Sequence, residues 1–477
     1  MALNKNYING EWVESNDVNL DINPSDTNDI IGEYARADEQ QTNDAIQAAK
    51  AARNVWRDVC VNEKSIILDN IGSEILARKT ELATLLAREE GKTLPEATGE
   101  VVRAGMIFKF FSGEAVRLTG DILASTRPGL NVEITREPVG VIGVISPWNF
   151  PIAIPAWKIA PALAFGNTVV LKSADLVPAS AWALAEIISR AGLPAGAFNL
   201  VMGSGSKVGD TIVNSPDIDA VTFTGSDAIG NGIRGKVAGR GAKVQLEMGG
   251  KNPLVVLDDA DLDTAINAAV DGAFFGTGQR CTASSRLIVT EGIHDAFVAG
   301  VIERLQGLRT GHALDSKSQI GPVSSQAQLQ TDLEYISIGK EEGAHLAYGG
   351  ELLQRDTPGY YLSPALFTET DNDMRLNREE VFGPVATVIR AKNYEEALEL
   401  ANDTRFGLTS GICTTSLESS KDFKRNSEAG MVMVNLPTAG IDYHVPFGGR
   451  KNSSYGSREQ GSYAREFFTI VKTCYIG

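Results

Sequence analysis

Short apolar runs alternating with amphipathic stretches set the frame of this chain. Between residues 139 and 247, apolar segments at 139–146, 168–172, 198–202, 220–223 and 243–247 alternate with helix-periodic segments at 156–165, 178–191, 207–213 and 227–238. Strands that are apolar throughout and separated by helices predict a parallel sheet covered on both faces. A second series opens at 254–257 and continues through helix 261–275, strand 286–290 and helix 293–307 to residue 434. The pattern predicts an α/β chain with a second α/β subdomain.

Upstream, residues 7–35 read as short strands and turns, with hairpin character at Asn9-Gly10. Alanine-rich amphipathic runs predict helices at 43–57, 63–91 and 94–116, with Pro95 near a helix start. The last run carries Phe108, Phe110 and Phe111, whose spacing fits a core face or a tunnel wall. Residues 120–138 alternate in strand fashion after a turn at Arg127-Pro128-Gly129 and leave the main series. The tail at 467–476 is also strand-like and is expected to pair with them, within the chain or across a subunit interface.

Length and charge narrow the classes. A chain of 477 residues exceeds what one core usually organises. A net charge of −16 argues against nucleic acid and anionic membranes as partners. Cys60, Cys281, Cys413 and Cys474 show no CxxC spacing, and the four histidines are scattered, so neither a disulfide scaffold nor a metal site is expected. No apolar leader and no run of about 18 apolar residues is visible, which predicts a soluble cytoplasmic protein.

Ligands of parallel sheets bind beyond the carboxyl ends of the strands. Ser146, Trp148, Asn149, Lys172, the 203–209 turn, Gly225-Ser226 and Glu247 all fall there. The turn containing Gly205 and Gly209 resembles a dinucleotide fingerprint with one residue too many, and Gly225-Ser226 offers helix N-terminal amides to a pyrophosphate. Lys172 and Asp175 are candidates for ribose hydroxyls, or a solvated charge pair. Asn149, held between Pro147 and Pro151, is a candidate oxyanion donor or a self-satisfied turn residue. Glu247 and Cys281 lie 34 residues apart, each beside glycines. A thiolate adds to a carbonyl and a carboxylate activates water to release the product. The alternative is a structural cysteine and a surface glutamate.

Together the stretches Pro147-Trp148-Asn149-Phe150-Pro151, Phe223-Thr224-Gly225-Ser226, Glu247-Met248-Gly249-Gly250-Lys251, Gly278-Gln279-Arg280-Cys281-Thr282, Glu380-Val381-Phe382-Gly383-Pro384 and Pro446-Phe447-Gly448-Gly449 resemble the NAD(P)-dependent aldehyde dehydrogenase superfamily. The resemblance spans essentially the whole chain. It implies a Rossmann-like cofactor domain (1–119 and 139–250), a catalytic α/β domain (251–450) and a small β oligomerisation element (120–138 and 460–477). Homodimers or homotetramers would follow. It also implies Cys281 as nucleophile, Asn149 and the Cys281 N–H as oxyanion donors, and Glu247 as the base that hydrolyses the thioester. NAD or NADP would lie against Ser146, Trp148, Lys172, Asp175, Gly205, Gly209, Gly225, Ser226, Met248, Glu380 and Phe382. The family often has Lys-Pro-Ser-Glu where this chain has Lys172-Ser173-Ala174-Asp175, which leaves NAD versus NADP open.

Within the superfamily, 279–286 and 449–462 are similar to the 2,5-dioxopentanoate (α-ketoglutarate semialdehyde) dehydrogenases, which implies oxidation of that semialdehyde to 2-oxoglutarate. A carboxylated substrate needs a cation. Arg280 and Arg103 are candidates, each also readable as a surface arginine, and Arg280 could act on the Cys281 thiolate. Phe150, Trp157 and Phe447 would complete the substrate wall. Other readings are succinate semialdehyde, betaine aldehyde or broad-range oxidation, acyl transfer to coenzyme A, and a non-catalytic binding or structural protein on the same fold.

Overall fold

The computed structural model describes residues 2–477. Five parallel strands form the heart of the first large sheet, in the order Lys243–Glu247, Ala220–Thr224, Val141–Ile145, Thr168–Lys172, Phe198–Leu200. An antiparallel hairpin, Asn6–Ile8 and Glu11–Val13, extends one edge. Ser454–Tyr455 closes the other edge, and its register sets Ser454 opposite Glu247.

The period of two sends alternate residues of each strand into different cores. Ile142 and Val144 pack with Ile154, Trp157 and Leu184 on one face. Val141 and Ile145 pack with Ile46, Ile212 and Val237 on the other. Burial on both faces explains why these strands read as unbroken apolar runs.

The second sheet has seven strands, in the order His345–Tyr348, Ala365–Thr368, Val385–Ala391, Ser284–Thr290, Asn252–Val256, Thr409–Cys413, Met431–Val434. All its pairings are parallel except the first. The chain passes from one large sheet to the other between Glu247 and Asn252. In a separate three-stranded sheet, Thr469–Ile476 pairs antiparallel with Asn131–Pro138, which pairs with Asp121–Ala124. The tail therefore joins the excursion within the chain. Ile122, Leu123, Val471 and Tyr475 of this sheet are exposed.

One expected element divides. The helix predicted over 63–91 is two helices, Val61–Ala77 and Lys79–Glu90, meeting at Arg78 with φ −93° and ψ 14°. No proline or glycine marks the break. Arg78 instead reaches Glu81 at 2.6 Å and Glu186 at 2.7 Å, contacts that reward a local turn. Around 207–213 the backbone begins as a π-turn, Gly205–Gly209, before the helix Asp210–Asn214. The helix Leu94–Ala115 starts with a capping box in which Thr93 and Glu96 satisfy each other's amides.

Candidate active site

Asn149 sits in the turn between the strand Val141–Ile145 and the helix Ala153–Ala164. Two side chains from the start of Leu94–Ala115 and its preceding loop pin that turn. Glu100 Oε1 accepts from the Ile152 and Ala153 amides, both at 3.1 Å, which caps the helix. Glu100 Oε2 accepts from Lys92 Nζ at 2.6 Å. Lys92 Nζ also donates to the Asn149 carbonyl at 2.7 Å. The Asn149 side chain donates through Nδ2 to the Gln279 carbonyl at 3.0 Å, leaving its second N–H for a ligand.

Cys281 follows a tight left-handed turn. Gly276, Thr277 and Gly278 have φ of 61°, 56° and 66°, a conformation that glycine adopts readily and threonine does not. Three contacts hold it. Glu96 Oε1 accepts from the Gly276 amide at 2.6 Å, Thr277 Oγ1 donates to the Gly321 carbonyl at 3.2 Å, and Asn252 Nδ2 donates to the Cys281 carbonyl at 2.8 Å. A Cβ on Gly278 would stand 2.1 Å from the Gly383 carbonyl oxygen, so this turn touches the loop that bears Glu380 and Phe382. Burial pushes the Cys281 thiol up to about 12, Glu380 and Glu247 add to the rise, and Arg103 opposes it.

Two cavities share Cys281 and Asn149 as common wall. The larger has a volume of about 690 Å³, ample for a dinucleotide. Ser146, Trp148, Met248, Glu380 and Phe382 line it on one side, with Lys172, Asp175, Gly205, Gly209, Gly225 and Ser226 on the other. Ser226 opens the helix Asp227–Gly239 toward it. Phe382, at φ 63°, packs edge-on against Trp148 with ring centres 5.4 Å apart. Burial raises Glu380 to about 7 although its Oε1 accepts from the Gly250 amide at 2.7 Å. The buried hydroxyls of Ser173 and Thr224 have no partner beside this cavity, and burial lowers Lys172 to about 8. Unpartnered polar groups, an ammonium and open helix amides suit an anionic dinucleotide.

The smaller cavity, about 250 Å³, is lined by Arg103, Phe150, Trp157, Arg280 and Phe447. The two arginines differ. Arg280 Nη2 donates to the Asp271 carbonyl and, at 3.2 Å, to the Gly272 carbonyl, tying down the last turn of the helix Leu262–Phe274. Arg280 thus has Nη2 tied to backbone carbonyls, forms no ion pair among the described residues and has a buried Nε without a partner, and the arginine that lowers the thiol's pKa is Arg103. Nor is Arg103 a surface residue. Its guanidinium lies 5.6 Å from the Trp157 ring, Nη2 donates to Gln460 Oε1 at 3.1 Å, and Nε is buried with no partner. Among the described residues it forms no ion pair. Of the carboxylates nearby, Glu100 is engaged as above and Glu96 by Thr93 and Gly276, while Asp442 acts on Arg103 through its charge alone.

Glu247 ends its strand 2 % exposed and is not part of either cavity wall. Its Oε2 accepts from Ser454 Oγ at 2.6 Å, which ties the carboxyl group to the edge strand. Burial, then the neighbouring Glu459, raises its pKa well above the usual carboxylate range. Behind it lies an ion pair that the sequence did not reveal. Lys158 Nζ contacts Glu459 Oε1 and donates to Thr222 Oγ1 at 2.8 Å, and both charged side chains are almost completely buried. Lys158 was hidden inside an apolar helix pattern, and Glu459 lies 301 residues away.

Asp175 and Lys172 do not face one another as a pair. Asp175 is held by Arg36, with Nη2 to Oδ2 at 2.6 Å. Lys172 Nζ donates to the Ser173 carbonyl at 2.8 Å. Cys60, Cys281, Cys413 and Cys474 are all free, and no cluster of metal ligands occurs among the described residues. No helix among them is long and apolar enough to cross a membrane.

A thiol and an amide donor between two cavities, one of dinucleotide size, match what the comparisons find. The model of the aldehyde dehydrogenase family matches residues 12–474, and the chain belongs to that family. An alpha-ketoglutaric semialdehyde dehydrogenase of Bacillus subtilis is 44% identical over 475 residues, covering 99% of this chain and 97% of the relative. Among solved structures, a betaine aldehyde dehydrogenase of Staphylococcus aureus in complex with NAD+ superposes with a TM-score of 0.96 at 33% identity, covering 99% of this chain and 94% of that one. An NADP-dependent enzyme of E. coli superposes equally well, with a TM-score of 0.96, 34% identity, and 99% and 98% coverage.

Proposed function

We propose that this chain oxidises a carboxylate-bearing aldehyde to the corresponding acid, with α-ketoglutarate semialdehyde as preferred substrate and 2-oxoglutarate as product. The observation that carries the substrate class is Arg103, a guanidinium without an ion-pair partner in the cavity that ends at Cys281. A substrate carboxylate supplies the missing partner. The name of the B. subtilis relative supports the same choice.

Cys281 adds as a thiolate to the aldehyde carbon. The oxyanion forms between the free Asn149 N–H and the Cys281 backbone N–H, donors already oriented by Gln279 and Lys92. NAD or NADP, bound in the larger cavity, supplies the acceptor for the hydride that leaves the tetrahedral carbon. Gly225 and Ser226 would hold its pyrophosphate, Lys172 and Asp175 its adenosine ribose, and Glu380 and Phe382 its nicotinamide half. Ser146, Trp148, Met248, Gly205 and Gly209 form the remaining walls. The thioester left on Cys281 is hydrolysed by water that Glu247 activates after turning from Ser454. Glu459, Thr222 and Lys158 lie behind it as a route by which the proton leaves.

The exposed apolar residues of the three-stranded sheet support a homodimer or homotetramer built through it. Four free cysteines suit the reducing conditions of a cytoplasmic setting.

The test compares kcat/KM for α-ketoglutarate semialdehyde, succinate semialdehyde and propanal in the wild type and in Arg103→Met. The variant should lose roughly tenfold or more on the two carboxylated aldehydes, the size of one charge-assisted contact, and little on propanal. Equal losses on all three, or a wild-type preference for propanal, would contradict the substrate class. A preference for succinate semialdehyde would keep the class and overturn the choice within it.

A further inference from the structure

Along the helix Gln326–Glu341 the buried positions are Leu329, Asp332, Ile336 and Gly339. A carboxyl group thus takes one place in an otherwise apolar stripe. Asp332 is fully buried, and no ion pair holds it among the described residues. Its Oδ2 has no hydrogen-bond partner, and burial pushes the carboxyl up to about 7. A leucine here would pack with Leu329, Ile336 and Leu376 without burying an unpartnered polar atom. The stability of the fold therefore does not account for Asp332.

Its contacts do. Asp332 Oδ1 accepts from Gln328 Nε2 at 2.8 Å, one helical turn earlier. The same nitrogen donates to the Val381 carbonyl at 2.9 Å. Two acceptors on the nitrogen fix which way the amide points, and Gln328 is part of the larger cavity wall. The Asp332 carboxyl also lies against Gly383, where an added Cβ would stand 2.1 Å from Oδ1. The Gly383 carbonyl in turn meets Gly278, in the turn before Cys281.

These contacts bracket Phe382. Val381 before it is held by Gln328, and Gly383 after it by Asp332 and Gly278. Phe382 itself has φ 63°, a left-handed conformation that a bulky residue keeps only where its surroundings impose it. In that conformation its ring packs on Trp148 in the wall of the larger cavity. Release of the bracket would let the backbone relax and carry the ring away from that wall.

We infer that Asp332 is a positioning residue for the cofactor: with Gln328 it clamps the backbone at Val381 and Gly383, and so holds Phe382 where the nicotinamide half of the dinucleotide binds. This rests on the cofactor reading of the larger cavity given above.

The experiment is calorimetric binding of NAD+, NADP+ and ADP to the wild type, Asp332→Leu, Asp332→Asn, Gln328→Met and the double variant Asp332→Leu/Gln328→Met. ADP fills only the adenosine end of the cavity, so it reports on the fold and not on the Phe382 loop. Asp332→Leu should raise the Kd of both dinucleotides about tenfold, the size of one lost hydrogen bond. Its Kd for ADP should stay within about twofold, and its denaturation midpoint should be no lower than that of the wild type. Asp332→Asn keeps the acceptor for Gln328 and should bind within about threefold of the wild type. Gln328→Met breaks the same clamp from its other end, so the double variant should bind no more weakly than the weaker single one. Equal weakening of ADP and the dinucleotides in Asp332→Leu overturns the inference, because it marks a merely structural role. Unchanged dinucleotide binding in Asp332→Leu also overturns it, as does unchanged binding in Gln328→Met should the first variant not fold. Additive losses in the double variant overturn it too, since they mark two independent contacts. A wild type that binds none of the three ligands overturns the cofactor reading itself, a result distinguishable from a failed clamp.

Discussion

Lys92 Nζ lies 2.7 Å from the backbone carbonyl oxygen of Asn149 and 4.0 Å from the centre of the Phe150 ring. One buried ammonium thus fixes the turn that carries Asn149, the proposed oxyanion donor. Glu100 holds that ammonium and caps the following helix, while Glu96, one turn earlier, holds the turn before Cys281. The first turns of a single helix and the loop before it therefore position both the Asn149 turn and the Cys281 turn.

Lys92→Met keeps the length of the side chain and removes the bond to Asn149. Loss of a positioned oxyanion donor typically costs 10²–10³ in kcat, and loosening one costs less. The variant should lose about 10- to 100-fold in kcat with KM changed less than about threefold. Steady-state formation of reduced nicotinamide measures both. A loss confined to KM would place Lys92 in substrate binding instead.

The thiol is tuned by charges at some distance. Glu380 raises the Cys281 pKa and Arg103 lowers it. Glu380→Gln should therefore bring the thiol down and speed alkylation by neutral iodoacetamide at pH 8.5, where Glu380, at about 7, is ionised. Arg103→Met should slow it. One unit of pKa is about a tenfold change in thiolate fraction, so shifts of a few tenths of a unit remain measurable as rates.

Glu90 gives a stability prediction with a definite sign. Burial, with Glu100 and Glu96 adding and Lys92 opposing, holds its carboxyl at about 8 against an ordinary 4.5. Between those values the folded chain keeps a proton that the unfolded chain has released. Its contribution is present below about pH 4.5 and is lost as pH rises through about 8. Glu90→Gln keeps an acceptor for the Lys92 amide and cannot ionise. Relative to the wild type, its denaturation midpoint should rise from pH 5.5 to pH 8.5. A difference independent of pH would contradict the assignment.

Much of this was legible because the signals are local. Strands such as Ala220–Thr224 are apolar throughout because they are covered on both faces, and Gly225-Ser226 marks the turn that follows. The eleven residues assigned to the cofactor all line the larger cavity. What stayed hidden depends on partners far along the chain. Arg36 and Asp175 are 139 residues apart, and Lys158 and Glu459 are 301 apart. Lys158 is one charged residue in an otherwise apolar helix, and no residue near it in sequence is its partner. In sequence Arg280, beside the nucleophile, is the stronger candidate and Arg103 reads more readily as a surface residue. Carbonyls at the end of a helix occupy one, and an apolar cavity wall presents the other. The break at Arg78 was invisible because every residue around it favours helix, and tertiary ion pairs decide the turn.

In the proposed reaction Cys281 carries the substrate through oxidation and Glu247 releases it. Glu247→Gln should retain the first half of the reaction and lose the second, with turnover reduced about 10²- to 10⁴-fold, the range for a general base. The decisive measurement is intact-mass and peptide analysis of Glu247→Gln quenched after mixing with α-ketoglutarate semialdehyde and NADP+. The expected result is a burst of reduced nicotinamide near one equivalent per chain, with a matching acyl adduct on the peptide containing Cys281. A burst without that adduct, or an adduct on Cys60, Cys413 or Cys474, would contradict it.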